Sequence, residues 1–170
     1  NVHFVFAGEF QPWHPDRMRA RLQSWREYRN FSRAILPVAR RLHATEKFDV
    51  VHHVTYATWR VASPLWRLGI PFVFGPIGGN EQLPARFFPM LSASATAFEL
   101  ARMASNVVSR FSPAVRDCIR RAAHVFCANA ETEQLVKTVR DSKSGVSRLS
   151  AGFYSATQIE GFTRFAPEKK

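Results

Sequence analysis

Apolar residues along this chain alternate between two periods. Val2-His-Phe-Val-Phe-Ala7 is a short β-rich run that predicts a strand, and Gln11-Pro-Trp-His-Pro15 reads as a loop. From there, apolar side chains at 18, 22, 25, 28, 31, 35, 38 and 42 step by three or four, which predicts a long amphipathic helix over Asp16–His43. Pro37 should kink or divide it, because proline lacks the amide and crowds the preceding turn. Asp49–Val54 predicts a second strand, Ser63–Leu68 a helix closed by Gly69, and Ile70–Phe74 a third strand. Ala85–Phe111 reads as mainly helical. Ser112-Pro113 starts a further helix to about Ala123, with Ser as N-cap and Pro at the first position. A strand over His124–Ala128, a helix over Ala130–Arg140 and a last strand over Val146–Leu149 complete the pattern.

Short strands alternating with helices mean βαβ units, so the expected class is α/β, with a parallel sheet and helices on both faces. Ligands of such sheets gather at the carboxyl ends of the strands. Residues 1–150 read as one domain, and 151–170 as an exit segment that follows a stretch richer in Ser and Gly. The longest apolar runs fall far short of the roughly 18 residues of a membrane span. The chain begins at Asn1, with no basic segment ahead of the first apolar run and no cleavage signal after it, so it reads as a fragment.

Charge adds a second layer. The net charge is +11, and between Arg17 and Arg41 eight arginines face a single carboxylate, Glu27. A field of that sign attracts anionic lipid, an acidic glycan or nucleic acid. It is also what a solvated helix face looks like. Arg19, Arg26, Arg29 and Arg33, interleaved with aromatic residues, are the candidate contact surface. Cys118 and Cys127 lie nine apart without a CxxC pattern, as buried free thiols of a reducing compartment would.

Known chemical motifs are scarce. The first strand-to-helix turn has one glycine rather than GxGxxG, and Gly75-Pro-Ile-Gly-Gly79 is followed by no Gly-Lys-Ser/Thr. Gly78 and Gly79 could bring bare backbone to an anion or a sugar hydroxyl; on residue types alone a plain turn is the simpler reading. His52 and His53 are strand neighbours and point to opposite faces, so they cannot share a metal. One should pack under a helix, while the other could face the cleft and act as a base. Glu131 and Glu133 open a helix, where carboxylates complement the dipole whatever else they do. No metal site and no cofactor is expected.

Phe48-Asp-Val-Val-His-His-Val-Thr55, Pro64-Leu-Trp-Arg-Leu-Gly-Ile-Pro71, Phe74-Gly-Pro-Ile-Gly-Gly79 and Ala128-Asn-Ala-Glu-Thr132, in that order and spacing, resemble the amino-terminal domain of bacterial family 4 glycosyltransferases. The resemblance implies one Rossmann-like half of a GT-B architecture and a retaining transfer from a nucleotide-sugar donor to a polysaccharide or glycolipid precursor. It also implies action in the cytoplasm, peripheral on the inner face of the plasma membrane. The main donor site would lie in a second, carboxyl-terminal domain, and this fragment alone would be inactive. By matching position, Gly78, Gly79, Asn80 and Glu81 would face the cleft, with His52, Glu131 and Thr132 as further substrate contacts. His53 and Glu81 would be the catalytic candidates. The first loop lacks the paired glycines that many members place under the donor phosphates. A different class of reading is a non-catalytic basic module that binds nucleic acid or anionic lipid.

Overall fold

In a computed structural model of the chain, the structure describes residues 17–54, 58–140 and 144–149, with side chains described from Arg26 onward. The strand expected over Val2–Ala7, the loop over 11–15 and the exit segment over 151–170 lie outside the described residues. The rest is an α/β architecture, a four-stranded parallel sheet flanked by helices, consistent with a Rossmann-like fold. Among the described residues no helix is long and apolar enough to cross a membrane.

Helix α1, Arg17–Glu46, is continuous through Pro37, which sits on its exposed side and does not divide it. Its inner stripe carries Tyr28, Phe31, Ile35 and Ala39 at helical spacing. The Tyr28 hydroxyl donates to the Ala62 carbonyl at 2.9 Å, which satisfies the polar tip of a buried ring. Strands β1 (Val51–His53), β2 (Phe72–Ile77), β3 (His124–Cys127) and β4 (Val146–Arg148) follow in the spatial order of their sequence. In register, His53 lies beside Phe74 and Phe74 beside Val125. Those residues therefore share one face, and His52, Val73, His124 and Phe126 share the other.

Parallel crossovers have one hand, so a sheet built in simple sequence order collects its helices on one face. The buried residues agree: Trp59, Leu65, Phe72, Phe74, Val125 and residues of the later helices form a single cluster with Ile35 and Ala39 of α1. Trp59, Phe72 and Phe74 are almost wholly enclosed. Burial of such side chains contributes about 1.5–3 kcal/mol each. The opposite face carries a smaller ring cluster, with His124 and Phe126 centroids 4.5 Å apart. Helices for that second face, expected from the sequence, are not among the described residues.

One predicted helix is a single tight turn, and another is divided. Pro64–Leu68 is a 3₁₀ segment capped by Ser63, whose hydroxyl accepts from Leu65 N at 3.2 Å, and it ends at Gly69 with φ of 85°. The stretch over Ala85–Phe111 divides into a 3₁₀ segment, Ala85–Met90, and helix α2, Ala93–Phe111. Pro89 in the first and the Ser92 cap of the second account for the break. Helix α3 covers Pro113–Arg121 and helix α4 Ala130–Arg140.

These last two helices close each other's ends. Arg140 of α4 donates to the carbonyls of Ile119 and Ala122 at 2.8 and 2.7 Å, and Arg120 of α3 donates to the Val139 carbonyl at 3.0 Å. Carbonyls at a helix C-terminus have no intrahelical partner, so each arginine satisfies groups that burial would otherwise leave costly. Burial holds the Arg140 guanidinium below its ordinary pKa.

Cys118 and Cys127 are free and buried. Desolvation, the main cause at both sites, raises each thiol from 9.0 to about 12; at Cys127 the nearby Glu133 carboxylate adds to it, against Lys137 and Arg148. Both should resist iodoacetamide in the folded protein and react once urea unfolds it. The fold favours the neutral thiol, so the contribution to stability is full below pH 9.0 and declines as pH rises from there toward about 12. Urea titrations at stepped pH, compared with a C118A/C127A variant, check this; equal pH dependence in the two proteins would contradict it.

Candidate functional site

The carboxyl edge of the sheet gathers the polar groups. β2 does not end at Phe74, as its apolar run suggests, but continues through Gly75 to Ile77 with a register irregularity between Phe74 and Ile77. Gly75 has φ of 120°, and a Cβ there would lie 2.2 Å from the Phe126 carbonyl oxygen. Only glycine fits this approach of two strands. The chain then enters Gly78–Glu81, held from three sides. Trp59 N donates to the Gly78 carbonyl at 3.2 Å, and Ala128 N to the Ile77 carbonyl at 2.8 Å.

Each following residue meets a side chain from another element. Arg60 donates to the Gly79 carbonyl and, through Nε, to Oδ1 of Asn106 on α2. The backbone N–H of Asn80 donates to Thr132 Oγ1 at 3.4 Å, and its side-chain amide to the Glu131 carbonyl at 3.0 Å. Arg102 of α2 donates to the Glu81 carbonyl while also pairing with Glu99 at 2.7 Å. The Glu81 carboxylate accepts from Asn129 Nδ2. Asn129 also caps α4, its Oδ1 accepting from Thr132 N at 2.8 Å. Loop, cap and two guanidiniums thus form one connected set.

Burial lowers the Arg60 pKa most, the neighbouring Arg102 cation lowers it further, and Glu81 and Glu99 oppose both. Arg60 also lines a cavity of about 360 Å³ with Tyr28, Arg29, Ser32, Arg33 and Ser112. Among the described residues the buried Ser32 hydroxyl there has no hydrogen-bond partner. A cavity with three guanidiniums and an unused hydroxyl suits an anionic or polyhydroxyl group.

Of the predicted site residues, Gly78, Gly79, Asn80, Glu81, Glu131 and Thr132 are brought together. Gly79 differs in role from the bare backbone expected of it: its φ is 99° and the space a Cβ would take is faced by Arg60 Nη1 at 3.1 Å. His53, expected in the cleft as a base, is instead buried beneath α1. Its Nδ1 lies 2.7 Å from Ser63 Oγ and its ring meets Phe31 and Phe74 edge-on. His52 is the exposed member of the pair, on the other face, with Nε2 2.7 Å from the Gly75 carbonyl oxygen. Neither joins the loop cluster. Arg29 and Arg33 reach the cavity, Arg26 is exposed, and the side chain of Arg19 lies outside the described residues.

Arg60, Arg102, Asn106 and Asn129 are additions. Asn129 carries a readable signal, an Asn directly before a helix. The arginines carry no signal for the loop, because the Gly79 and Glu81 carbonyls that they reach are far away in sequence. Among the described residues no group of three or more His, Cys, Asp or Glu could hold a metal. Fold and site together define an α/β protein with an arginine-braced loop at the carboxyl edge of its sheet. The chain matches no protein-family model, no curated protein and no solved structure.

Gly75 of β2 and the loop glycines Gly78 and Gly79 should respond differently to alanine. Gly75→Ala is expected to cost more than about 3 kcal/mol, Gly79→Ala about 1–2 kcal/mol, and Gly78→Ala under about 1 kcal/mol, since a Cβ at Gly78 meets nothing nearer than 3.5 Å. Urea melts of the three variants check the order; a Gly78 variant as unstable as the Gly75 variant would contradict it.

Proposed function

We propose that this chain is the acceptor-side domain of a retaining glycosyltransferase with a GT-B architecture, acting on a polysaccharide or glycolipid precursor. The observation that carries the reading is the connected set at the carboxyl edge. A glycine-led loop presents Glu81 and Asn80 beside two arginines, next to a cavity with an unused hydroxyl. Open parallel sheets bind their ligands at that edge. The ordered segments that resemble family 4 enzymes lend the reading its reaction class.

In this reading Glu81, fixed by Asn129, orients the acceptor hydroxyl, and Asn80 takes a second hydroxyl of the same sugar. Arg60 and Arg102 place positive charge where the departing diphosphate develops its negative charge, which is where a fixed field lowers a barrier most. In this reading His53 is structural, packing β1 under α1 and sharing a hydrogen bond with Ser63. The nucleotide-sugar donor is bound mainly by a second Rossmann-like unit.

Location at a membrane belongs to the same proposal. Leu100, Met103, Val107 and Phe111 follow at three- and four-residue steps along α2 and are exposed, Phe111 at 70%. Arg110 lies among them, and the chain's charge is +11. Apolar side chains beside basic ones suit an anionic bilayer surface on the cytoplasmic side.

Screening nucleotide-sugar donors against lipid-linked and polysaccharide acceptors, with the protein from its complete reading frame, tests the proposal. Glu81→Gln should lower kcat by about 100-fold with little change in melting temperature, as loss of one fixed polar contact at a reacting centre does elsewhere. Gly78→Ala should raise KM for the acceptor. Sugar transfer that is unaffected by both substitutions would sink the assignment of the site.

A further inference from the structure

The opposite, amino edge of the sheet holds a second cavity of about 630 Å³, lined by Arg40, Trp66, Arg67, Gly69, Ile70 and Arg121. It lies before β2 and β3 begin and shares no lining residue with the loop site. Three elements each supply one guanidinium: α1, the 3₁₀ turn and the last residue of α3. Among the described residues none of the three makes an ion pair. No acidic side chain among the described residues lines the cavity. Arg67 and Arg121 both sit over the Trp66 ring, their guanidinium carbons 5.2 and 5.1 Å from its centroid.

Contact with one indole restricts both guanidiniums to a shared geometry before any ligand arrives. Three cations around one cavity repel each other. Arg121 lies in the last turn of α3 and Arg67 in that of the short 3₁₀ segment, where the terminal carbonyls relieve this in part, while Arg40 lies inside α1, well before its end. A planar fork of N–H donors matches phosphate oxygens, and an aromatic floor suits a group with some apolar surface. A Cβ at Gly69 would meet nothing within 4 Å, so the rim is open there.

We propose that this cavity is a phosphate-recognition site for a phosphoryl or diphosphoryl group, carried by a soluble ester or by a phospholipid headgroup. The site is independent of the transferase reading. Inorganic pyrophosphate, titrated at constant ionic strength, should change the fluorescence of Trp66, and a Trp66→Phe variant should lose that change. The R67A/R121A double variant should keep its melting temperature and bind pyrophosphate at least about tenfold more weakly, and R67K/R121K should lie between it and the wild type. Vesicles of phosphatidylcholine with phosphatidic acid form the second arm. Binding to vesicles alone, lost in R67A/R121A, assigns the group to a headgroup; a response to pyrophosphate assigns it to a soluble phosphate. Unchanged affinity in R67A/R121A for whichever probe binds overturns the proposal, as does a protein that responds to neither. Single-stranded RNA bound through Arg67 and Arg121, with no response to pyrophosphate or vesicles, overturns it in favour of a nucleic-acid surface.

Discussion

The approach of β2 to β3 at Gly75 is the contact on which the rest depends. A strand passing so close to the Phe126 carbonyl has no room for a side chain, and the ladder beyond it changes register. That irregularity re-aims the chain, so that Gly78 leaves the sheet toward Trp59 and α4 rather than running on along β3. Bulged ladders commonly redirect a strand near a site. The His52 contact with the Gly75 carbonyl supports the same bend from the exposed face.

Positive charge is distributed along α1 with a simple geometry. Arg26, Arg33 and Arg40 are spaced by seven and stay near one stripe, with Arg29 one turn beside it. A helix rises 1.5 Å per residue, so Arg33 and Arg40 stand roughly 10 Å apart. One belongs to the cavity beside the loop and the other to the cavity at the far edge. The same helix thus carries positive potential to both ends of the sheet while its inner stripe packs Tyr28, Ile35 and Ala39 against the core.

What could be read from the sequence follows local signals. Helix α4 runs over the residues its pattern predicts, because acidic residues at its start, basic residues at its end and apolar spacing agree. The strands were legible as apolar runs, but β2 outran its own, since Gly75 and Pro76 look like a stop when the partner strand is unseen. Ser63-Pro64 and Gly69 marked both ends of a helix correctly, yet five residues between them make only a 3₁₀ turn. At the candidate site, Asn80, Glu81 and Thr132 were named by matching position in the segments that resemble family 4 enzymes, and the structure brings the three together. The histidine pair was not: alternation says that the two side chains diverge, but which one is covered depends on where α1 lies. Arg60 and Arg102 were beyond reach because they answer to carbonyls brought near only by the fold.

The reciprocal arginines of α3 and α4 bear on how the protein opens. Arg140 closes the carbonyls of one helix and Arg120 that of the other. Fraying the last turn of α4 would therefore uncover carbonyls at the end of α3, and fraying α3 would release the contact to the Val139 carbonyl of α4. Neither helix has a cheap local excursion of its own. The opening of α3 and the opening of α4, one on each side of β3, thus share a common cost.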